Sequence, residues 1–202
     1  MQIGSLAPAE AVRLKTAGAQ VVDVRGSDEF AADHWKDSVN IGTHGDLTGW
    51  AQRLLEPGHP LVLVASPGQE QAAAARLSSF ELAGWVEGGV TALPADQRES
   101  CQKLQPGQLA ELLSQPEHPA VIDVRSPQEF ANGHIAGARN IPLDQLPART
   151  AELPAGPMVV HCASGYRSSA AVSWMASHQV AVATDLAGGF SAWVAAGLPV
   201  EK

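Results

Sequence analysis

The sequence predicts an α/β protein made of two tandem copies of one domain. Two observations carry this: an internal repeat at a fixed offset, and strands that alternate with helices within each copy. Val22-Asp23-Val24-Arg25 and Glu29-Phe30-Ala31 recur as Ile122-Asp123-Val124-Arg125 and Glu129-Phe130-Ala131, an offset of 100 residues. The same offset relates His34 to His134, Asn40 to Asn140, Ile41 to Ile141, and Gly88-Gly89 to Gly188-Gly189. A repeat this long marks duplicated domains rather than a solenoid of small units. The copies are expected over 1–99 and 104–202, with the polar stretch 97–103 as the join.

The elements of the second copy can be taken in order. Residues 120–124 form a short β-branched run that reads as a buried strand. Ser126-Pro127 supplies an N-cap and a proline at the first helical position, with Glu129 three residues after the cap, so a short helix follows and ends near Gly133. Asn140-Ile141 closes another strand, and 143–149 is expected as a helix. Residues 158–161 form an apolar strand running directly into Cys162, and 168–177, rich in alanine, form the next helix. A strand over 180–185, a turn at Gly188-Gly189 and a helix over 190–196 complete the copy. This alternation implies a parallel sheet covered on both faces, with ligands bound beyond the carboxyl ends of its strands. Cys162 is placed at such an end.

Composition narrows the function. With 45% hydrophobic and 17% charged residues over 202 positions, the chain is ordinary globular protein. A formal net charge of −8 argues against a phosphate-tracking nucleic-acid surface. No apolar run approaches the roughly 20 residues that cross a bilayer, and the start of the chain has no signal-peptide pattern, so the cytoplasm is expected. Cys101 and Cys162 are not expected to pair, and neither stands in a zinc-ligand spacing. No metal and no cofactor is anticipated.

Cys162-Ala163-Ser164-Gly165-Tyr166-Arg167-Ser168 joins a strand to a helix through small and polar residues. Gly165 lets the loop curl around the sulfur, and inward-pointing amides plus the helix N-terminus stabilise an anion there, a thiolate included. Arg167 is expected to place a positive charge at the rim, matched to an oxyanion. The repeat provides an internal control. Aligning 61–64 with 158–161 puts Ala65 at the cysteine position and Glu70 at the arginine position, so the first copy is expected to be inert for this chemistry. Asp123, Arg125, Glu129 and His134 have counterparts in Asp23, Arg25, Glu29 and His34 and therefore read as scaffold. Present only in the second copy are His161, Cys162, Tyr166, Arg167 and Ser168. His161 precedes the nucleophile along a strand, so its side chain is expected to point away from the thiol as support rather than as general base.

These residues resemble the rhodanese family along essentially the whole chain. The Asp-Val-Arg strand end, the Glu-Phe helix, Gly-His-Ile-Ala-Gly-Ala at 133–138, Gly-Gly-Phe-x-x-Trp ending at Trp193 and above all Cys-x-x-Gly-x-Arg at 162–167 look like family landmarks. The resemblance implies two tandem rhodanese-like domains, each a parallel five-stranded sheet flanked by helices, the first catalytically inactive. It implies that Cys162 accepts sulfane sulfur from a small sulfur-containing anion such as thiosulfate and passes it to cyanide, a thiol or a protein acceptor. Ala163, Ser164, Gly165, Tyr166, Arg167 and Ser168 would bind the substrate. The pair also resembles the tandem rhodanese portion that follows metallo-β-lactamase-like persulfide dioxygenase domains, which makes such a dioxygenase a possible functional partner. Its metal ligands are not in this chain.

Two other readings stay open on the sequence. A cysteine phosphatase or arsenate reductase would use a wider His-Cys-x5-Arg loop, one residue longer than the loop here. Alternatively the tandem pair is a non-catalytic binding or regulatory module. Cys101 reads as a bystander or a resolving thiol. Trp35, Lys36 and Arg53 are candidates to shape the mouth of the active loop from the first copy.

Overall fold

The central strands of both copies are apolar on both faces, which dictates helices above and below them. Leu61–Val64 and Met158–His161 are buried at every position, as parallel strands covered on two sides must be. The computed structural model describes residues 3–202, and the chain divides after Cys101 into two units. The first unit runs β1 (Ser5–Leu6), α1 (Pro8–Thr16), β2 (Gln20–Asp23), α2 (Ser27–Ala32), β3 (His34–Trp35), β4 (Val39–Asn40), α3 (Leu47–Leu54), β5 (Leu61–Val64), α4 (Glu70–Arg76), β6 (Leu82–Val86) and β7 (Arg98–Glu99). Its five-stranded sheet has the order β1-β6-β5-β2-β4 with every pairing parallel. Strands β3 and β7 form a separate antiparallel pair.

The second unit runs β8 (Lys103–Leu104), α5 (Pro106–Leu113), β9 (Ala120–Asp123), α6 (Pro127–Ala131), β10 (His134–Ile135), β11 (Arg139–Asn140), β12 (Met158–His161), α7 (Tyr166–Ser177), β13 (Ala183–Leu186), α8 (Gly189–Ala195) and β14 (Val200–Glu201). Its sheet order, β11-β9-β12-β13-β8, is the same path as in the first unit and is again parallel throughout. Strands β10 and β14 repeat the small antiparallel pair. The α/β fold of two five-stranded parallel units flanked by helices is therefore the one expected.

Several boundaries differ from the sequence reading. The helix expected over 143–149 is replaced by two 3-10 turns, Leu146–Ala148 and Thr150–Glu152. Pro147 has no N–H to donate and restricts the residue before it, which breaks the α-helical ladder. Helix α7 starts two residues earlier than expected, at Tyr166, because Gly165 in the left-handed region (φ 105°) serves as its N-cap. The strand expected over 180–185 is shifted to Ala183–Leu186, after Gln179 turns the chain with φ 54°. The join over 97–103 is largely structured: Arg98 and Glu99 pair with β3, and Lys103 and Leu104 pair with β13.

The same polar network fixes the turn after the first central strand in each unit. Asp123 accepts from the Arg125 backbone N–H at 2.9 Å and from the guanidinium at 2.6–3.0 Å, and Arg125 Nη2 also donates to the Gly133 carbonyl at 2.7 Å. Asn140 Nδ2 donates to the carbonyls of Asp123 and Arg125, both at 2.9 Å. Asp23, Arg25, the Asp33 carbonyl and Asn40 repeat this set of bonds. His34 and His134 stack on Phe30 and Phe130 at 3.9 and 3.8 Å between ring centroids. Asp123 and Arg125 are both buried. Asp123→Ala strands the arginine without its counter-charge and is expected to cost about 3–5 kcal/mol. Denaturant unfolding of the variant checks this, and Asp23→Ala should destabilise the first unit in the same way.

Candidate active site

The candidate site is built where β12 ends and α7 begins. Cys162 is 1% exposed, and its Sγ accepts a hydrogen bond from the Gly165 N–H at 3.2 Å and one from the Ser168 hydroxyl at 3.6 Å. Gly165 makes this possible because φ 105° lies in the left-handed region, where a side chain is strained. The helix that opens at Tyr166 brings its positive N-terminal end to the same sulfur.

Helix α8 holds the outer side of the loop. The Phe190 N–H donates to the Cys162 carbonyl at 2.8 Å, and the Ser191 N–H donates to the Ala163 carbonyl at 2.9 Å. Two first-turn donors of α8, which would otherwise lack partners, thereby take the loop carbonyls, while the Gly165 amide is left to meet the sulfur. The approach is close enough to require glycine. A Cβ on Gly189, whose φ is +59°, would come within 2.6 Å of the Cys162 carbonyl oxygen. Read from sequence, Gly188-Gly189 is only a turn. Its part in seating α8 on the loop appears only once the backbone is assembled.

Phe190 links this seat to the Asp123–Arg125 network, since its ring lies 4.0 Å below the Arg125 guanidinium. His161 fits beside it, with ring centroids 6.1 Å apart. The His161 ring is fully buried, with Nδ1 3.2 Å from the Cys162 carbonyl oxygen and Nε2 3.6 Å from Asp123 Oδ2. Burial pushes its pKa down, against the opposing pull of Asp123, so the ring is neutral at physiological pH.

Arg167 is not a free charge at the rim. Its Nη1 and Nη2 donate to Glu129 Oε2 and Oε1 at 2.8 and 2.7 Å, a bidentate pair. Glu129 also accepts from the Ser126 N–H at 3.0 Å and the Ser126 hydroxyl at 2.9 Å, closing the capping box of α6. The internal repeat places Glu129 among scaffold residues because Glu29 matches it. The two glutamates share the capping role, for Glu29 accepts from the Gly26 N–H at 3.2 Å. They differ in what else they grip: Glu29 accepts from the Ser66 hydroxyl at 3.1 Å, whereas Glu129 takes the loop arginine. A residue with two roles is only half visible to a repeat comparison.

The other predicted positions fall as follows. Ser164 is exposed, Ala163 and Tyr166 are half-buried, and Ser168 is buried against the sulfur. In the first unit Ala65 is buried at the end of β5, and Gly68 (φ 83°) matches Gly165. Trp35 is fully buried and clusters with first-unit core residues, and Arg53 packs over Trp50 on its own helix. Cys101 and Cys162 are both thiols. Among the described residues no group of three or more His, Cys, Asp or Glu side chains is placed to hold a metal ion.

Two outcomes follow from this geometry. The carboxyl of Glu129 is pulled from 4.5 to about 2, first by the Arg167 hydrogen bonds, against a smaller opposing effect of burial. The pair therefore contributes in full above the unfolded carboxyl's value of about 4.5 and is lost as pH falls through about 2. Carboxyl titration by NMR should find Glu129 near 2, and Arg167→Gln should return it toward the ordinary range. Gly189→Ala should destabilise the second unit by about 1–3 kcal/mol through forced backbone strain and clash. Gly137→Ala, with φ +72° but no neighbour within 4 Å, should cost less in the same unfolding assay.

Comparison with known proteins places this geometry in a family. The rhodanese-like domain matches residues 7–94 and again 105–196. The chain is 42% identical over 74 residues to an uncharacterized protein, YqhL, of Bacillus subtilis, a match covering 36% of this chain and 59% of that one. It is 33% identical over 93 residues to a sulfurtransferase of Allochromatium vinosum, covering 46% and 87% respectively. It is 34% identical over 74 residues to the thiosulfate sulfurtransferase GlpE of Stutzerimonas stutzeri, covering 36% and 68%. Each of these matches takes in less than half of this chain, whereas the family itself matches twice. With both units matched, the chain belongs to the rhodanese-like domain family.

Proposed function

We propose that this chain is a sulfurtransferase and that Cys162 carries the transferred sulfur as a persulfide. The observation that carries the reading is the cradle at Sγ, in which the Gly165 amide and the Ser168 hydroxyl both aim at the sulfur from one side of a strand-to-helix loop. Relatives named sulfurtransferase and thiosulfate sulfurtransferase support the same class of reaction.

In the first half-reaction the Cys162 thiolate attacks the sulfane sulfur of thiosulfate or of a persulfide. The donor's S–S bond breaks, sulfite or a thiolate leaves with the electron pair, and a new S–S bond forms on Cys162. In the second half-reaction cyanide or a thiol attacks the outer sulfur and returns the Cys162 thiolate. Nucleophile and leaving group are both anions, so no proton must move at the sulfur. That suits a loop of hydrogen-bond donors with a neutral, buried His161 behind it rather than a general base. The loop amides from Ala163 to Arg167 are the donors available to the outer sulfur. The carbonyls of Cys162 and Ala163 do not crowd them, because α8 holds both.

The first unit is proposed to carry no sulfur. Ala65 offers no nucleophile, and Glu70 stands where the second unit has Arg167. A persulfide dioxygenase as functional partner belongs to the same proposal, resting on the tandem-domain resemblance alone.

Mass spectrometry after exposure to thiosulfate or to an alkyl persulfide tests the reading. One extra sulfur, roughly 32 Da, is expected on the Cys162 peptide, absent from the Cys101 peptide and removed by a thiol acceptor. Cys162→Ser should abolish turnover of both donors. An unmodified Cys162 after both treatments would sink the proposal.

A further inference from the structure

We propose that Glu129 is a specificity-determining residue that withholds the charge of Arg167 from the donor, turning the site away from dianions such as thiosulfate and toward monoanionic alkyl persulfides. This rests on the sulfurtransferase reading and narrows its donor class.

Arg167 is the cation of the loop, and both of its terminal nitrogens are committed to one carboxylate at 2.7 and 2.8 Å. That carboxylate is itself anchored, because Ser126 holds Oε2 through its N–H and its hydroxyl. An incoming oxyanion can meet the three remaining N–H groups, but the charge behind them is already answered by a carboxylate tied to a helix cap. The Glu129 hydrogen bonds do most to keep Arg167 protonated, burial opposes them, and the charge of Cys162 adds to the pull. One positive charge thus answers two negative ones, the carboxylate and the attacking thiolate.

The next buried pair does not alter the balance. Arg125 is matched by Asp123 at 2.6 Å, and His161 is neutral. The wider field does not help a dianion either: residues 102–202 carry six Lys and Arg against eight Asp and Glu, and the whole chain is −8. Like charge slows encounter, and more steeply for a second charge on the ligand. Thiosulfate brings two charges on five atoms, whereas an alkyl persulfide brings one at its reacting end. In both cases one S–S bond breaks and one forms, and the leaving sulfite or thiolate takes the electron pair, so the sulfur chemistry itself does not discriminate. In the first unit Glu29 keeps the capping contact and takes the Ser66 hydroxyl, so the cap does not depend on a bidentate arginine.

The test compares kcat/KM for thiosulfate and for cysteine persulfide in the full chain, with the same thiol acceptor. Glu129→Gln retains an amide oxygen for the Ser126 cap but removes the charge. It should raise the thiosulfate-to-persulfide ratio about tenfold, the scale of one unmasked charge near a partly exposed site. Glu129→Gln combined with Arg167→Gln should return the ratio toward that of the unaltered protein. Ionic strength supplies a measurement free of mutation: thiosulfate turnover by the unaltered protein should rise with added salt as repulsion is screened. A ratio unchanged within twofold in Glu129→Gln, or thiosulfate turnover that falls with salt, would overturn the inference while leaving sulfur transfer intact. If neither donor loads sulfur on Cys162, the sulfurtransferase reading falls and this inference with it.

Discussion

The second unit depends on a buried ion pair used as a structural joint. Asp123 ends β9 and grips the backbone and guanidinium of Arg125, which reaches on to the Gly133 carbonyl and lies over the Phe190 ring. Through Phe190 the joint extends to α8, whose first amides hold the carbonyls of Cys162 and Ala163. A single run of contacts therefore leads from the central sheet to the cysteine loop. Burying two charges is costly unless each finds geometry this complete, and here every contact also orients a piece of backbone. The same joint in the first unit holds Asp23, Arg25 and Asn40, where the neighbouring strand runs into Ala65 instead of a cysteine. It is architecture common to both units.

The loop itself is organised by a division of labour among backbone groups. Carbonyls at 162 and 163 are taken by α8, and the amide at 165 goes to the sulfur. Gly165 and Gly189 are the two positions where this requires a positive φ, and at Gly189 also a close approach. Neither glycine carries chemistry, yet both decide where the sulfur's hydrogen-bond donors stand. The electrostatics are handled separately, with the cation of Arg167 pinned by a carboxylate that belongs to a helix cap.

The comparison between units shows both the strength and the limit of reading a repeat. It isolates Cys162, Arg167 and Ser168 as features of one copy, and it separates the Asp–Arg–Asn network from them. It shows only half of Glu129, because a residue kept in both copies for its cap can acquire a second contact in one of them. Trp35, a sequence candidate for the mouth of the loop, is fully buried and clusters with core residues of the first unit.

The sequence by itself determined the duplication, the parallel α/β class, the strand that ends at Cys162, the capping box at Ser126 and Glu129, and the loop that curls at Gly165. All are local or periodic signals: a repeat offset, a β-branched run, a cap spacing, a glycine followed by a helix. The two turns at 146–152 in place of one helix were legible in principle from Pro147. The tertiary structure alone decided what meets across the fold: Glu129 with Arg167, 38 residues apart, and the amides of α8 with the loop carbonyls. The reason is physical. A carboxylate's partner and an amide's acceptor are set by which elements pack side by side, and no spacing along the chain encodes that neighbour.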